Sequence, residues 1–217
     1  MAHLTTDTIG SFNQFLKDQK AIPGEAVFSL CVFNTTHHMV HDFKHLHSVE
    51  ELTPQTYSCT GSTALLDAMG TTIDSLGAKL AAMPEHERPS KVIVLVQTDG
   101  EENCSKDFTL EQIKAKVTHQ QEVYNWQFVF VGASLDAIAD GTSMGFTAAN
   151  SVAYTASAAG TKQLFRSVSS NLGSYRSSLA PVQGPIDFFG QTGETPTSPA
   201  VDANVVVPPN SPTNTNK

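Results

Sequence analysis

The sequence predicts an α/β fold in which helices cover both faces of a mostly parallel sheet that ends in one antiparallel edge strand. Three observations predict it. Val92 to Val96 is an unbroken apolar run rich in β-branched residues, and Gln127 to Val131 is a second, largely apolar run. Such runs have no wet face, so they read as strands of a parallel sheet buried on both sides. Between and around them lie segments whose apolar residues recur every three or four positions, the mark of helices with one buried face.

In chain order, residues 4 to 19 read as a helix with Ile9, Phe12, Phe15 and Leu16 inward, capped by Thr5 or Thr6. Pro23-Gly24 ends it. Val27 to Phe33 reads as a strand, Asn34-Thr35-Thr36 as a turn, and His38 to Phe43 as an antiparallel return strand. That second strand carries His38, His41 and Asp42, with Lys44 just beyond, as an exposed edge should. A loop from Ser48 to Ser62 leads to a long helix with Leu65, Leu66, Met69, Ile73, Leu76 and Leu80 on one stripe. After the strand at Val92, Thr109-Leu-Glu-Gln112 matches a capping box opening a helix that buries Ile113, Val117 and Val123. The strand ending at Gly132 precedes a short helix from Ser134 to Met144. A short strand from Asn150 to Tyr154 and a closing helix from Ala158 to Tyr175 follow, the latter with Leu164, Phe165, Val168 and Leu172 inward. This alternation is that of a three-layer, doubly wound, Rossmann-like sandwich. One feature is discordant: such folds open with a central strand, and this chain opens with a helix. From about Pro181, Pro, Thr, Asn, Ser and Gly dominate. Residues 1–180 therefore read as the domain and 181–217 as a tail, with Ile186, Phe188 and Phe189 its apolar anchors and Gln191 to Lys217 disordered.

The chain has 217 residues and a net charge of -8. An acidic chain lacks the basic face that nucleic acid requires, so the expected partner is a protein or a cation. No apolar run approaches the ~18 residues of a membrane span, and the N-terminus lacks the charged and apolar regions of a signal peptide. Cys31, Cys59 and Cys104 have no motif spacing and read as reduced thiols of a cytoplasmic protein.

Two turns carry the chemistry. Gly61-Ser62-Thr63-Ala64-Leu65-Leu66-Asp67 is a glycine-led loop opening a helix. Thr98-Asp99-Gly100-Glu101-Glu102-Asn103 follows a strand, at the carboxyl end where open α/β sheets bind ligands. Its carboxylates read either as a solvated acidic turn or as oxygen ligands for a hard cation. Here the sequence resembles the von Willebrand factor A (vWA) domain family, most of all its bacterial and phage members. Those read Gly-Gly-Thr-Ala-Leu-Leu-Asp-Ala at the first turn and Thr-Asp-Gly-Glu-Glu-Asn at the second. The resemblance takes in Thr8-Ile9-Gly10-Ser11-Phe12-Asn13-Gln14-Phe15, Ile22-Pro23-Gly24-Glu25 and Phe33-Asn34-Thr35-Thr36, and spans roughly Met1 to Tyr175.

The resemblance implies a protein-binding module with a metal-ion-dependent adhesion site, in which Thr63 and Asp99 are Mg²⁺ ligands and an open position accepts a partner's carboxylate. Mg²⁺ suits such a site because it takes hard oxygens and retains several waters. The family's third motif, Asp-x-Ser-x-Ser at the end of the first central strand, has no counterpart here, Met1 standing where that motif runs out. The expectation is thus a vWA-like sheet lacking its first central strand, with Mg²⁺ binding weak or lost. The alternative is an α/β enzyme or phosphoaspartyl receiver using Asp99, but Phe33-Asn34 and Gly132-Ala133 supply neither the acidic pair nor the lysine that a receiver needs. Two further readings stay open. His37, His41, His45 and His47 share a face if their strand is unbroken, which would suit a transition metal, against a solvated edge strand. Tyr124 and Trp126 read as core residues.

Overall fold

The computed structural model describes residues 4–58, 60–134, 136–179 and 183–190, with 193 and 196. The architecture is mixed α/β. Helix α1 (Thr5–Ala21) leads into the antiparallel pair β1 (Val27–Phe33) and β2 (His37–His45). Helix α2 (Leu65–Ala82) leads into β3 (Ile93–Thr98), α3 (Leu110–Tyr124), β4 (Gln127–Gly132), α4 (Ala137–Ser143), β5 (Ser151–Ala153) and α5 (Ala158–Ser177). Strands β3, β4 and β5 form a parallel sheet in that order, with Ile93 to Thr98 in register with Gln127 to Gly132.

Strand β4 organises the core. It is flanked by strands on both edges, and all six of its residues are buried. Its side chains alternate between two apolar clusters, as strand geometry requires. Val129 and Val131 face a cluster with Phe12, Leu16, Leu164 and Phe165 from α1 and α5. Phe128 and Phe130 face one with Met69, Ile73, Ile113 and Val117 from α2 and α3.

Among the described residues the two sheets do not join: strand β1 pairs only with β2, and β3 only with β4. Between β1 and β3 lies a cavity of about 1210 Å³ lined by the whole length of both strands. This corrects the expectation that Val92 to Val96 is buried on both faces. Val96 is buried, Val92 to Val94 are half-buried and Leu95 is 37% exposed. The composition matches that of β4; the difference is a missing neighbour on one edge. Both strands point the same way across the cavity. At their carboxyl ends, the Asn34 carbonyl accepts the Ala64 N–H at 2.7 Å, and Thr63 of the same loop abuts Gly100. At their amino ends, the Arg176 guanidinium on α5 donates to the Gln19 carbonyl near the end of α1, and Lys91 donates to the Tyr175 and Ser178 carbonyls.

The seam between α1 and α5 is partly polar. The buried Gln19 amide donates to the Ser169 carbonyl and hydroxyl at 3.0 and 3.1 Å, and Arg176 Nη1 also reaches Gln19 Oε1 at 3.2 Å.

Other expectations need correction. Helix α1 starts from Leu4 with no side-chain cap, because Leu4 is buried and carries Thr5 and Thr6 into the first turn. The capping box at Thr109 and Gln112 forms as expected. Its helix buries Ile113, Val117 and Gln121, each one turn apart. Val123 therefore falls on the opposite, exposed face, and Tyr124 is exposed too, while Trp126 is buried. The histidines do not share a continuous face. Register shifts in the hairpin and a positive φ at Phe43 break the alternation. His41 is buried with Nε2 3.0 Å from the Glu50 carbonyl, His45 is exposed, and His47 lies in a 3₁₀ turn. Past residue 180, Phe188 and Phe189 are buried in the α1/α5 cluster. The Ile186 and Phe188 amides donate to Gln127 Oε1 and Asn150 Oδ1, each at 2.8 Å. The core thus extends beyond the boundary expected at 180. The disorder expected from Gln191 on falls almost wholly outside the described residues.

Candidate functional site: two loops on one rim

The carboxyl ends of β1 and β3 form one rim, and both chemically interesting turns sit on it. The first turn bends at Gly61, whose φ of 94° is costly for any residue with a β-carbon. The second leaves β3 through Thr98, whose hydroxyl donates to the Gly100 carbonyl at 2.8 Å.

The turns are clasped to each other. The Thr63 N–H donates to Asn103 Oδ1 at 2.9 Å, and the Asn103 N–H donates to the Thr63 carbonyl at 3.1 Å. The approach is close: a β-carbon on Gly100 would stand 2.6 Å from Thr63 Oγ1. Thr63 is half-buried and Asp99 exposed, and both line the same end of the cavity.

Two other carboxylates hold this geometry. Asp67, in the first turn of α2 and 8% exposed, accepts the N–H groups of Lys106, Asp107 and Phe108 at 2.8, 2.9 and 3.0 Å. Burial alone would raise its pKa. Those three donors, with His37 nearby, outweigh it and hold the carboxyl below the usual carboxylate range. Glu102 accepts the N–H groups of Leu66, Cys104 and Ser105 at 3.0, 2.9 and 2.8 Å, and the Ser105 hydroxyl at 2.8 Å. Desolvation again opposes, and the Ser105, Leu66 and Cys104 hydrogen bonds again prevail, so its pKa is also lowered. Of the acidic run, Glu102 is therefore an internal clamp rather than a free cation ligand, while Asp99 and Glu101 are exposed. These clamping roles escape sequence reasoning, because the donors are backbone groups up to 41 residues away. The one signal available was an acidic residue in a first helical turn, where orphan N–H groups and the helix dipole favour it.

The donor set bears on the Mg²⁺ expectation. Thr63 offers a hydroxyl and Asp99 a carboxylate. Among the described residues no three His, Cys, Asp or Glu side chains gather as a metal cluster, the hairpin histidines included. Cys31 and Cys104 are free thiols; burial raises the Cys31 pKa, against hydrogen bonds with Thr72 and the His38 backbone. Cys59 lies outside the described residues. Among those residues no helix is long and apolar enough to cross a membrane. Comparison with protein-family models, with curated proteins and with solved structures found no match to this chain.

Proposed function

We propose that the chain is a protein-binding module of the von Willebrand factor A type whose cation rim is furnished only in part. The observation that carries this reading is the clasp of the Gly61–Ala64 turn onto the Thr98–Asn103 turn through Thr63 and Asn103. It sets one hydroxyl and one free carboxylate on a shared rim above parallel strand ends. The element order, with apolar clusters on both faces of β4, supports a three-layer sandwich with a place for one more central strand.

In this reading Thr63 and Asp99 are the Mg²⁺ ligands of this chain. The ion, when bound, would offer an electropositive position to a partner's carboxylate. With two protein oxygens, most of the shell is water and affinity is low. Calorimetric titration with MgCl₂ tests it. The expected result is no saturable binding tighter than about 1 mM, or roughly -4 kcal/mol. Micromolar binding abolished by Asp99→Ala would refute the incomplete rim, and phosphate incorporation at Asp99 from acetyl phosphate would refute the binding-module reading itself.

A further inference from the structure

We propose that a second pocket, at the carboxyl ends of β3 and β4, receives one lysine side chain of a partner protein. The ammonium sits among Asp99, Glu101 and Asp140, and the aliphatic stem lies on an apolar wall. That the partner is a protein rests on the binding-module reading above; nothing in the pocket depends on Mg²⁺ at the rim.

The cavity comes first. Thr98 and Gly132, paired in register at the ends of β3 and β4, both line it, and β1 contributes nothing to it. Its volume of about 420 Å³ falls within the roughly 300–1,000 Å³ of small-ligand pockets. Its inner wall is apolar: Leu66, Phe130 and Met144 line it and are buried. Leu110 lines it too and is exposed, so the apolar surface continues to the mouth.

The mouth is acidic. Asp99 and Glu101 are exposed in the turn after β3, and Asp140 is half-buried on α4, which packs on β4 and β5. Every charged residue lining the pocket is a carboxylate, and Glu102 is already engaged by the amides of Leu66, Cys104 and Ser105. Asp140 accepts the Ser134 hydroxyl at 3.1 Å, a neutral donor that leaves its charge unbalanced. The surface carboxylates Asp42 and Asp74 meet Lys79 and Lys116. Among the described residues Asp99, Glu101 and Asp140 have no such counter-ion. Charges of one sign around a low-dielectric cleft draw in the opposite sign.

These features select the occupant. A bare metal ion needs its ligands close together, and among the described residues no three His, Cys, Asp or Glu side chains gather for one; nor does it use an apolar wall. An uncharged side chain would desolvate the carboxylates without pairing them. Lysine meets both demands, laying its stem on apolar surface and keeping its charge at the mouth. The planar guanidinium of arginine forks onto one carboxylate, whereas the three donors of an ammonium diverge, as suits carboxylates arriving from a turn and from a helix. The chain's net charge of -8 favours encounter with a basic partner.

The test follows the amide NMR signals of the isotope-labelled full 217-residue chain at low salt with EDTA present. The probes are blocked glycine peptides with one central residue: lysine, norleucine (the stem without charge), diaminopropionate (the charge on a short stem) or arginine. The lysine peptide is expected to shift the amides of residues 99–102, 132–134 and 140–144 saturably. The norleucine and diaminopropionate peptides should bind at least about tenfold more weakly. Joining Glu101→Gln to Asp140→Asn keeps both shapes and an acceptor for Ser134, and should weaken the lysine peptide at least about tenfold. Equal binding of norleucine would mean a merely apolar pocket, and equal binding of diaminopropionate a diffuse attraction of charge. No saturable shift, shifts confined to other residues, or unchanged affinity in the double variant would mean no such site. Tighter binding of the arginine peptide or of free spermidine would assign the pocket to another ligand. Each of these overturns the proposal. Because EDTA is present, none of them bears on Mg²⁺ at the rim, and phosphate incorporation at Asp99, which would sink the binding-module reading, is scored separately.

Discussion

Replacing Asp67 by Asn removes one charge and almost no volume, and the structure dictates where the damage falls. Oδ1 accepts two N–H groups, from Asp107 and Phe108, and Oδ2 accepts one, from Lys106. An amide keeps a carbonyl oxygen for the first two and turns an NH₂ toward the third. One charge-assisted bond becomes a donor facing a donor, and the other two weaken to neutral bonds. With charged bonds contributing about 1.5–3 kcal/mol and neutral ones about 1, the expected loss is about 2–3 kcal/mol. Asp67→Ala, which orphans all three donors, should cost about 3–5 kcal/mol. Urea unfolding measures both: the midpoint should fall while the slope stays constant. The pH dependence gives an independent reading. The folded pKa of Asp67 is lowered, so its contribution is fully present above the ordinary carboxylate pKa and is lost as pH falls through the lower folded value. The wild-type chain should lose stability as it is acidified below about pH 4. Asp67→Asn should lose less over the same interval, with the remaining slope carried in part by Glu102, whose pKa is also lowered. A midpoint for Asp67→Asn within about 0.5 kcal/mol of wild type, with an unchanged acid slope, would show that the three-donor clamp contributes nothing.

Two further outcomes are expected. In Gly100→Ala the new β-carbon would stand 2.6 Å from Thr63 Oγ1, so overpacking of about 1–2 kcal/mol should appear in urea unfolding and vanish when Thr63→Ala is added. Phe188→Ala removes a fully buried ring from the α1/α5 cluster and should destabilise the whole domain by about 3–5 kcal/mol; a neutral result would show that residues 183–190 are not part of the folded unit.

Much of this architecture is legible in the sequence because it depends on local pattern. The apolar spacing of Phe12, Phe15 and Leu16 locates α1, and Thr109 with Gln112 marks the start of α3. What is not legible depends on neighbours distant in sequence. Val94 and Val129 sit in equally apolar runs, yet the first is half-buried and the second has no exposure at all. A run's composition states what it would bury, and strand partners decide what it does bury. The acidic turn shows the same divide. Asp99 and Glu102 look alike in sequence, but only Glu102 meets the amides of the α2 start and of its own loop. That the Thr63 and Asp99 turns share a rim follows from the parallel course of β1 and β3, which two turn motifs alone do not specify.

The polar seam between α1 and α5 constrains how the molecule can deform. Helix α1 leads directly into β1, and Lys91, just before β3, is anchored to the end of α5. Spreading the two strands therefore pulls on Gln19, Ser169 and Arg176 together. The interdigitated apolar side chains already resist sliding, and three interlocked polar partners add one specific axial alignment. Opening the space between the strands therefore loads this polar seam as a unit, at Gln19, Ser169 and Arg176 together.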